Sequence, residues 1–196
     1  MHSCEGRRAV AVAIGAPRGR RLPRGRDWGV RPLDHWLMNA TPLQTQSLKL
    51  VLQTREDVRT QIEQMEPHEK TELSPAWLAL LDGSSPADPW IHGFMLVHRT
   101  DGQVIGRGGF KGPPGADGVV EIAYGVVPEH QGKGYATEAA AALVSYAFGS
   151  GQVRVVRAHT LPESNASMRV LSKCGFRRVG EVIDPDDGGV WRWETP

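Results

Sequence analysis

Gln131-Gly132-Lys133-Gly134-Tyr135-Ala136 is the stretch on which the reading of this chain turns. Before it, Val119 to Val127 reads as a long strand that Pro128 stops. After it, Tyr135 to Phe148 reads as an Ala-rich helix with Ala136, Ala139, Ala140, Leu143 and Ala147 on one face. Two glycines in a tight turn leave backbone N–H groups free to point at an anion, and the helix that follows adds the positive end of its dipole. The turn therefore suits phosphate. It is not a P-loop, because Lys133 is followed by Gly134 rather than Ser or Thr. It is not a dinucleotide fingerprint, because Thr137 stands where the third glycine belongs. The hexapeptide alone leaves an ordinary Gly-rich strand-to-helix turn open.

Outward from this turn the chain alternates between elements. Leu48, Leu50 and Leu52 alternate with Lys49 and Val51 as a first strand. Asp57 to Met65 and the run after Ser74-Pro75 predict short helices. Phe94 to His98 and Val104 to Phe110 predict a hairpin turning at Asp101-Gly102. Downstream come a strand over Val153 to Leu161 and a helix over Asn165 to Cys174 that stops at Gly175. Two last strands follow, Phe176 to Glu181 and Val190 to Glu194. Strand, helix and strand in the middle imply one right-handed parallel crossover inside a mostly antiparallel sheet, an α/β (α+β) fold with flanking helices.

The flanks make the turn specific. Gln131, Gly134 and Ala136 fit a pattern of Gln or Arg, two residues, Gly, one residue, then Gly or Ala. Glu121-Ile122-Ala123-Tyr124 precedes it, Ala136-Thr137-Glu138-Ala139 follows, and Asn165-Ala166-Ser167 and Lys173-Cys174-Gly175-Phe176 lie downstream. Together these resemble the GNAT superfamily of N-acetyltransferases, in its RimJ/RimL-like branch that acetylates ribosomal-protein N-termini. The resemblance covers roughly residues 43 to 194. It implies a GNAT fold with a sheet splayed after the long central strand, and acetyl-CoA as co-substrate with no metal. The ends of that strand at Val126 and Val127 would pair with the pantetheine arm. The amides of Gly132, Lys133, Gly134, Tyr135 and Ala136, with Gln131, would hold the pyrophosphate. Asn165 would hydrogen-bond the pantetheine or the acetylated end of the coenzyme; its alternative is a helix N-cap. The acceptor would be a protein N-terminal amine or a small-molecule amine.

Acetyl transfer to an amine requires a base, a donor for the oxyanion and an exit for the thiolate. The backbone amide of Val127 is the expected oxyanion donor. Glu121 is the expected base, since it lies on the coenzyme strand an even number of residues before Val127; a structural carboxylate is its alternative. His130 is the rival, and His92, His98 and His159 show no metal-ligand spacing. Many GNAT enzymes carry a Tyr four residues before the Gly-Phe pair as acid for the thiolate. Leu171 stands there in this chain, so Ser167 is the stand-in. Cys174 reads as a small buried apolar residue, and Trp77, Trp90 and Phe110 as core before acceptor site.

Composition bounds the rest. The net charge of +1 gives no reason to expect nucleic acid or a membrane surface as partner. Two cysteines and no C-x-x-C pair fit a reducing, cytoplasmic location. No apolar run approaches the roughly 20 residues that span a bilayer. Charge is uneven: residues 1–37 hold eight Arg against Glu5, Asp27 and Asp34, whereas the remainder has 15 Lys and Arg against 19 Asp and Glu. Residues 1–42 are therefore expected to be a disordered basic extension and 43–196 the acetyltransferase domain. A faint secretory signal at Arg7-Arg8 and Ala9 to Ala16, an organelle transit peptide, or a true start at Met38 are the alternatives. A homodimer is compatible with everything above. Two rival functions stand beside the enzyme, a non-catalytic acyl-CoA sensor of the same fold and a nucleic-acid-associated protein acting through the basic start.

Overall fold

The computed structural model describes residues 43–71, 73–163, 166–184 and 188–196. The expected extension over 1–42 and the site residue Asn165 lie outside them. The strands are β1 (Leu43–Gln44), β2 (Leu48–Leu52), β3 (Phe94–His98), β4 (Val104–Phe110), β5 (Val119–Val126), β6 (Val155–Thr160), β7 (Arg177–Asp184) and β8 (Gly188–Thr195). The helices are α1 (Arg55–Gln64), α2 (Pro67–Thr71), α3 (Pro75–Gly83), α4 (Pro89–His92), α5 (Tyr135–Gly149) and α6 (Ala166–Lys173). They form the mixed α/β arrangement expected of the sequence. The sheet has eight strands in the order β1-β2-β3-β4-β5-β6-β8-β7, antiparallel throughout except for β5 beside β6.

Local chemistry explains most boundaries. Thr54 and Asp57 form a capping box that starts α1 two residues before the apolar pattern indicated. Ser74 caps α3, with Pro75 at its first position as expected. Asp88 caps the four-residue α4, with Pro89 at its first position. The last strand, β8, lies between β6 and β7. Trp193 is buried there and donates its Nε1 to Thr160 Oγ1 at 3.0 Å.

One layer carries the main core. Val120, Ile122 and Val126 of β5 face Ala139, Ala140, Leu143 and Ala147 of α5, and all four helix residues are fully buried. Small residues bring the helix close. A Cβ on Gly108 would already sit 3.2 Å from Leu143 Cδ1. Because side chains alternate along a strand, Glu121 projects from the opposite face of the sheet. Trp90 packs on Phe110 at 4.6 Å between ring centroids and on Tyr146 at 5.6 Å, so the aromatics of this region build core. Among the described residues no helix is long and apolar enough to cross a membrane.

Gly106 of β4 is in register with Val126 of β5. A Cβ there would fall inside contact distance of the Gly125 carbonyl oxygen, which is backbone and cannot step aside. Gly106→Ala should destabilise the fold by about 1–3 kcal/mol through overpacking. An unchanged urea midpoint would contradict this.

Candidate functional site

The site begins where β5 and β6 stop pairing. Their register runs Val119 with Val155, Val120 with Val156 and Glu121 with Arg157, and ends there. Beyond Glu121 the two strands part, and β5 stays bonded to β4 alone. The carbonyl of Glu121 accepts from Lys111 N, that of Gly125 faces Gly106, and Val127 N donates to Ile105 O at 2.9 Å. Strand alternation therefore turns the polar backbone groups of Tyr124 and Val126 to the open side. This corrects one expectation. The Val127 amide points at β4 and is already bonded, so it cannot serve an oxyanion.

The opening is a cleft of about 340 Å³. Tyr124, Gly125 and Val126 form its strand wall, the turn from His130 to Thr137 its end, and Ala166, Ser167, Arg169, Val170 and Lys173 of α6 its far wall. The turn is built as the sequence suggested. Gly132 and Gly134 have φ of 78° and 89°, the left-handed region that favours glycine, and a Cβ on either would meet nothing within 4 Å. Gly134 starts α5 with no side-chain cap, so the first amides of the helix face the cleft without a side-chain acceptor. Gln131 has another role than contact alone: its Nε2 donates to Val126 O at 2.8 Å, tying the turn to the strand end. Tyr135 lines the cleft while its hydroxyl meets His98 Nε2 at 3.2 Å, and His98 Nδ1 meets Asp101 Oδ1 at 2.9 Å. Glu138 accepts from Thr45 Oγ1 and Ser47 N, fixing the same helix start to the β1–β2 turn.

Ser167 lines the cleft, and Lys133 is exposed on the turn. Leu171 is only 1% exposed, part of the core. Cys174 is half-buried, its Sγ 3.6 Å from Thr137 O, and burial pushes its thiol up. Tyr124 was not singled out by the sequence. Its hydroxyl is buried without a hydrogen-bond partner, and burial raises the phenol above its ordinary value.

Glu121 sits at the vertex of the opening, on the sheet face away from α5. Its Oε1 receives Lys111 Nζ at 2.6 Å and His159 Nδ1 at 3.1 Å. His159 Nδ1 also stands 3.8 Å from Asp184 Oδ2, and its Nε2 is buried without a partner. Burial raises the Glu121 carboxyl, but the His159 hydrogen bond and the Lys111 charge outweigh it and hold the group below its ordinary value. The carboxylate is therefore ionised at neutral pH. The pairing of Lys111 and His159 with Glu121 is not visible along the chain, because one is on the loop after β4 and the other across the parallel pair. Among the described residues no group of three or more His, Cys, Asp or Glu could hold a metal.

A family model described as an acetyltransferase (GNAT) domain matches residues 38–177. The uncharacterised N-acetyltransferase YjdG of Bacillus subtilis (strain 168) is 30% identical over 95 residues, which is 48% of this chain and 54% of that protein. The chain spans about half the length of the curated relatives it matches. Among solved structures, an acetyltransferase (GNAT family) from Bacillus anthracis superimposes with a TM-score of 0.56 at 18% identity, covering 79% of this chain and 97% of that one. The aminoglycoside acetyltransferase AAC(6')-Ib, solved in complex with coenzyme A, gives 0.54 at 21% identity, covering 76% and 94%. At these identities the two structures establish a shared fold.

Lys111 is the cation nearest the Glu121 carboxylate, so Lys111→Met should raise the Glu121 pKa toward the usual carboxylate range. A carboxyl-carbon NMR titration reads this directly. An unmoved midpoint would mean that His159 alone sets the charge state.

Proposed function

The chain belongs to the acetyltransferase (GNAT) family, and from that premise we propose that it transfers an acetyl group from acetyl-CoA to a primary amine. The observation that carries the reading is the cleft itself. It combines a strand edge open at Tyr124 and at the Val126 amide with an uncapped amide turn at Gly132 to Ala136. An extended amide-bearing arm ending in a pyrophosphate matches that pair of features. The Tyr124 carbonyl and the Val126 amide hydrogen-bond the pantetheine arm as a neighbouring strand would. The amides of Gly132, Lys133, Gly134, Tyr135 and Ala136 hold the pyrophosphate, and Gln131 keeps the turn in place. Asn165 is assigned to the same arm on the resemblance alone.

Acetyl-CoA supplies an activated acyl group whose thiolate, near pKa 8.5, is a fair leaving group. Glu121 takes the proton of the incoming ammonium, directly or through one water. The Tyr124 amide, the open-side donor nearer the Glu121 vertex, holds the developing oxyanion in place of the Val127 amide. Ser167 donates its hydroxyl toward the departing sulfur. The acceptor is a protein N-terminus or a small-molecule amine, and the Asn165 to Phe176 resemblance favours the N-terminus. A second reading, an acyl-CoA sensor without turnover, draws on Leu171, which fills the usual position of the acid tyrosine.

Two variants test the assignment. Gly134→Val forces a β-branched residue into left-handed backbone and puts its side chain in the phosphate space. Calorimetry should find coenzyme A binding weakened at least tenfold, about 1.4 kcal/mol. Undiminished affinity would remove the turn from the site. Glu121→Gln should keep coenzyme binding and lower thiol release on an amine panel by roughly 10²-fold at neutral pH, less as pH rises and free amine accumulates. Equal rates would leave Glu121 a structural role. Coenzyme binding without thiol release from the wild-type chain on any amine would favour the sensor.

A further inference from the structure

The far wall of the cleft carries charge that the turn does not explain. Arg169 and Lys173 both line the cleft from α6 and stand four residues apart, on one face of the helix. Both are exposed at the rim. Neither forms an ion pair with a carboxylate among the described residues. The cleft lining contains no Asp or Glu, while His130 stands at the opposite end with the amide turn. Two like charges at this spacing disfavour a helix by a few tenths of a kcal/mol unless an anion lies between them. The helix dipole accounts for Lys173 in the last turn, but not for Arg169 in the middle. A doubly charged phosphate monoester has the charge and the three oxygens to bridge an Arg fork and a Lys ammonium.

We propose that Arg169 and Lys173 form a second phosphate subsite, which takes the terminal 3′-phosphate of coenzyme A and makes the cleft select the full coenzyme over its dephosphorylated form. This rests on the coenzyme A reading of the cleft. The amide turn serves the pyrophosphate, which both forms carry. The α6 pair serves the group that only one of them has. Being surface charges, the pair should also make the preference fall with ionic strength.

The experiment is calorimetry of the full chain with coenzyme A and with 3′-dephospho-coenzyme A, before and after the double substitution Arg169→Ala and Lys173→Ala. The wild type should bind coenzyme A at least tenfold more tightly than the dephospho form. The double variant should bind both alike, at the affinity the wild type shows for the dephospho form; that retained binding also reports an intact fold. Equal wild-type affinities would overturn the subsite and leave the coenzyme reading standing. A double variant that weakens both ligands alike would overturn it too, by assigning the pair to the pyrophosphate. A wild-type chain that binds neither ligand would overturn the coenzyme reading and the subsite together.

Discussion

Everything in the site depends on the parallel pairing of β5 and β6 ending at Glu121 and Arg157. An unpaired strand edge inside a sheet leaves hydrogen-bonding groups that water or a ligand must satisfy. Here the edge is short, because β4 holds every second residue of β5 and leaves Tyr124 and Val126 turned outward. The backbone at Gly106 leaves no room for a Cβ beside the Gly125 carbonyl, so only glycine fits there. The helix start is rigid, since Tyr135 is tied to His98 and Glu138 to the β1–β2 turn. Strand edge and amide turn thus meet at a fixed angle, joined by the Gln131 side chain.

The sheet divides the charges. On the α5 side the cleft is lined by amides, Arg169, Lys173 and His130, with no acid. On the other side Glu121 is held between Lys111 and His159. The ionised carboxylate is kept out of the cleft by the thickness of one strand, at the last residue of β5 that pairs with β6. A carboxylate within the cleft would repel phosphate. One on the opposite face can serve an incoming ammonium without that cost.

The sequence carried the local parts of this structure well. Leu48 to Leu52 alternates with period two, Asp101-Gly102 marks a hairpin, and Gly132 and Gly134 mark a turn that needs positive φ. Each of these signals is written in residues that are neighbours along the chain. Assignments that depended on partners far away fared less well. The Val127 amide looked available because parity along one strand says nothing about which neighbour takes its hydrogen bond; Ile105 does. Glu121 was visible as a carboxylate on the right strand, but Lys111 and His159 reach it from other elements. The position of β8 between β6 and β7 is likewise a long-range choice, one that buries Trp193 beside Thr160. Arg169 and Lys173 did leave a local signal, their four-residue spacing, but it acquires meaning only when α6 is seen to wall the cleft.

On the proposed function, the strand edge opened at Glu121 receives the coenzyme as a neighbouring strand would. Amide hydrogen exchange followed by NMR, with and without coenzyme A, tests it at single residues. Coenzyme A should slow exchange at the Tyr124 and Val126 amides and shift the resonances of Gly132 and Gly134. The Val127 amide, already bonded to Ile105, should be unchanged. Saturating coenzyme A that leaves Tyr124 and Val126 unprotected would contradict binding along this edge, and so would protection that appears at Val127 instead.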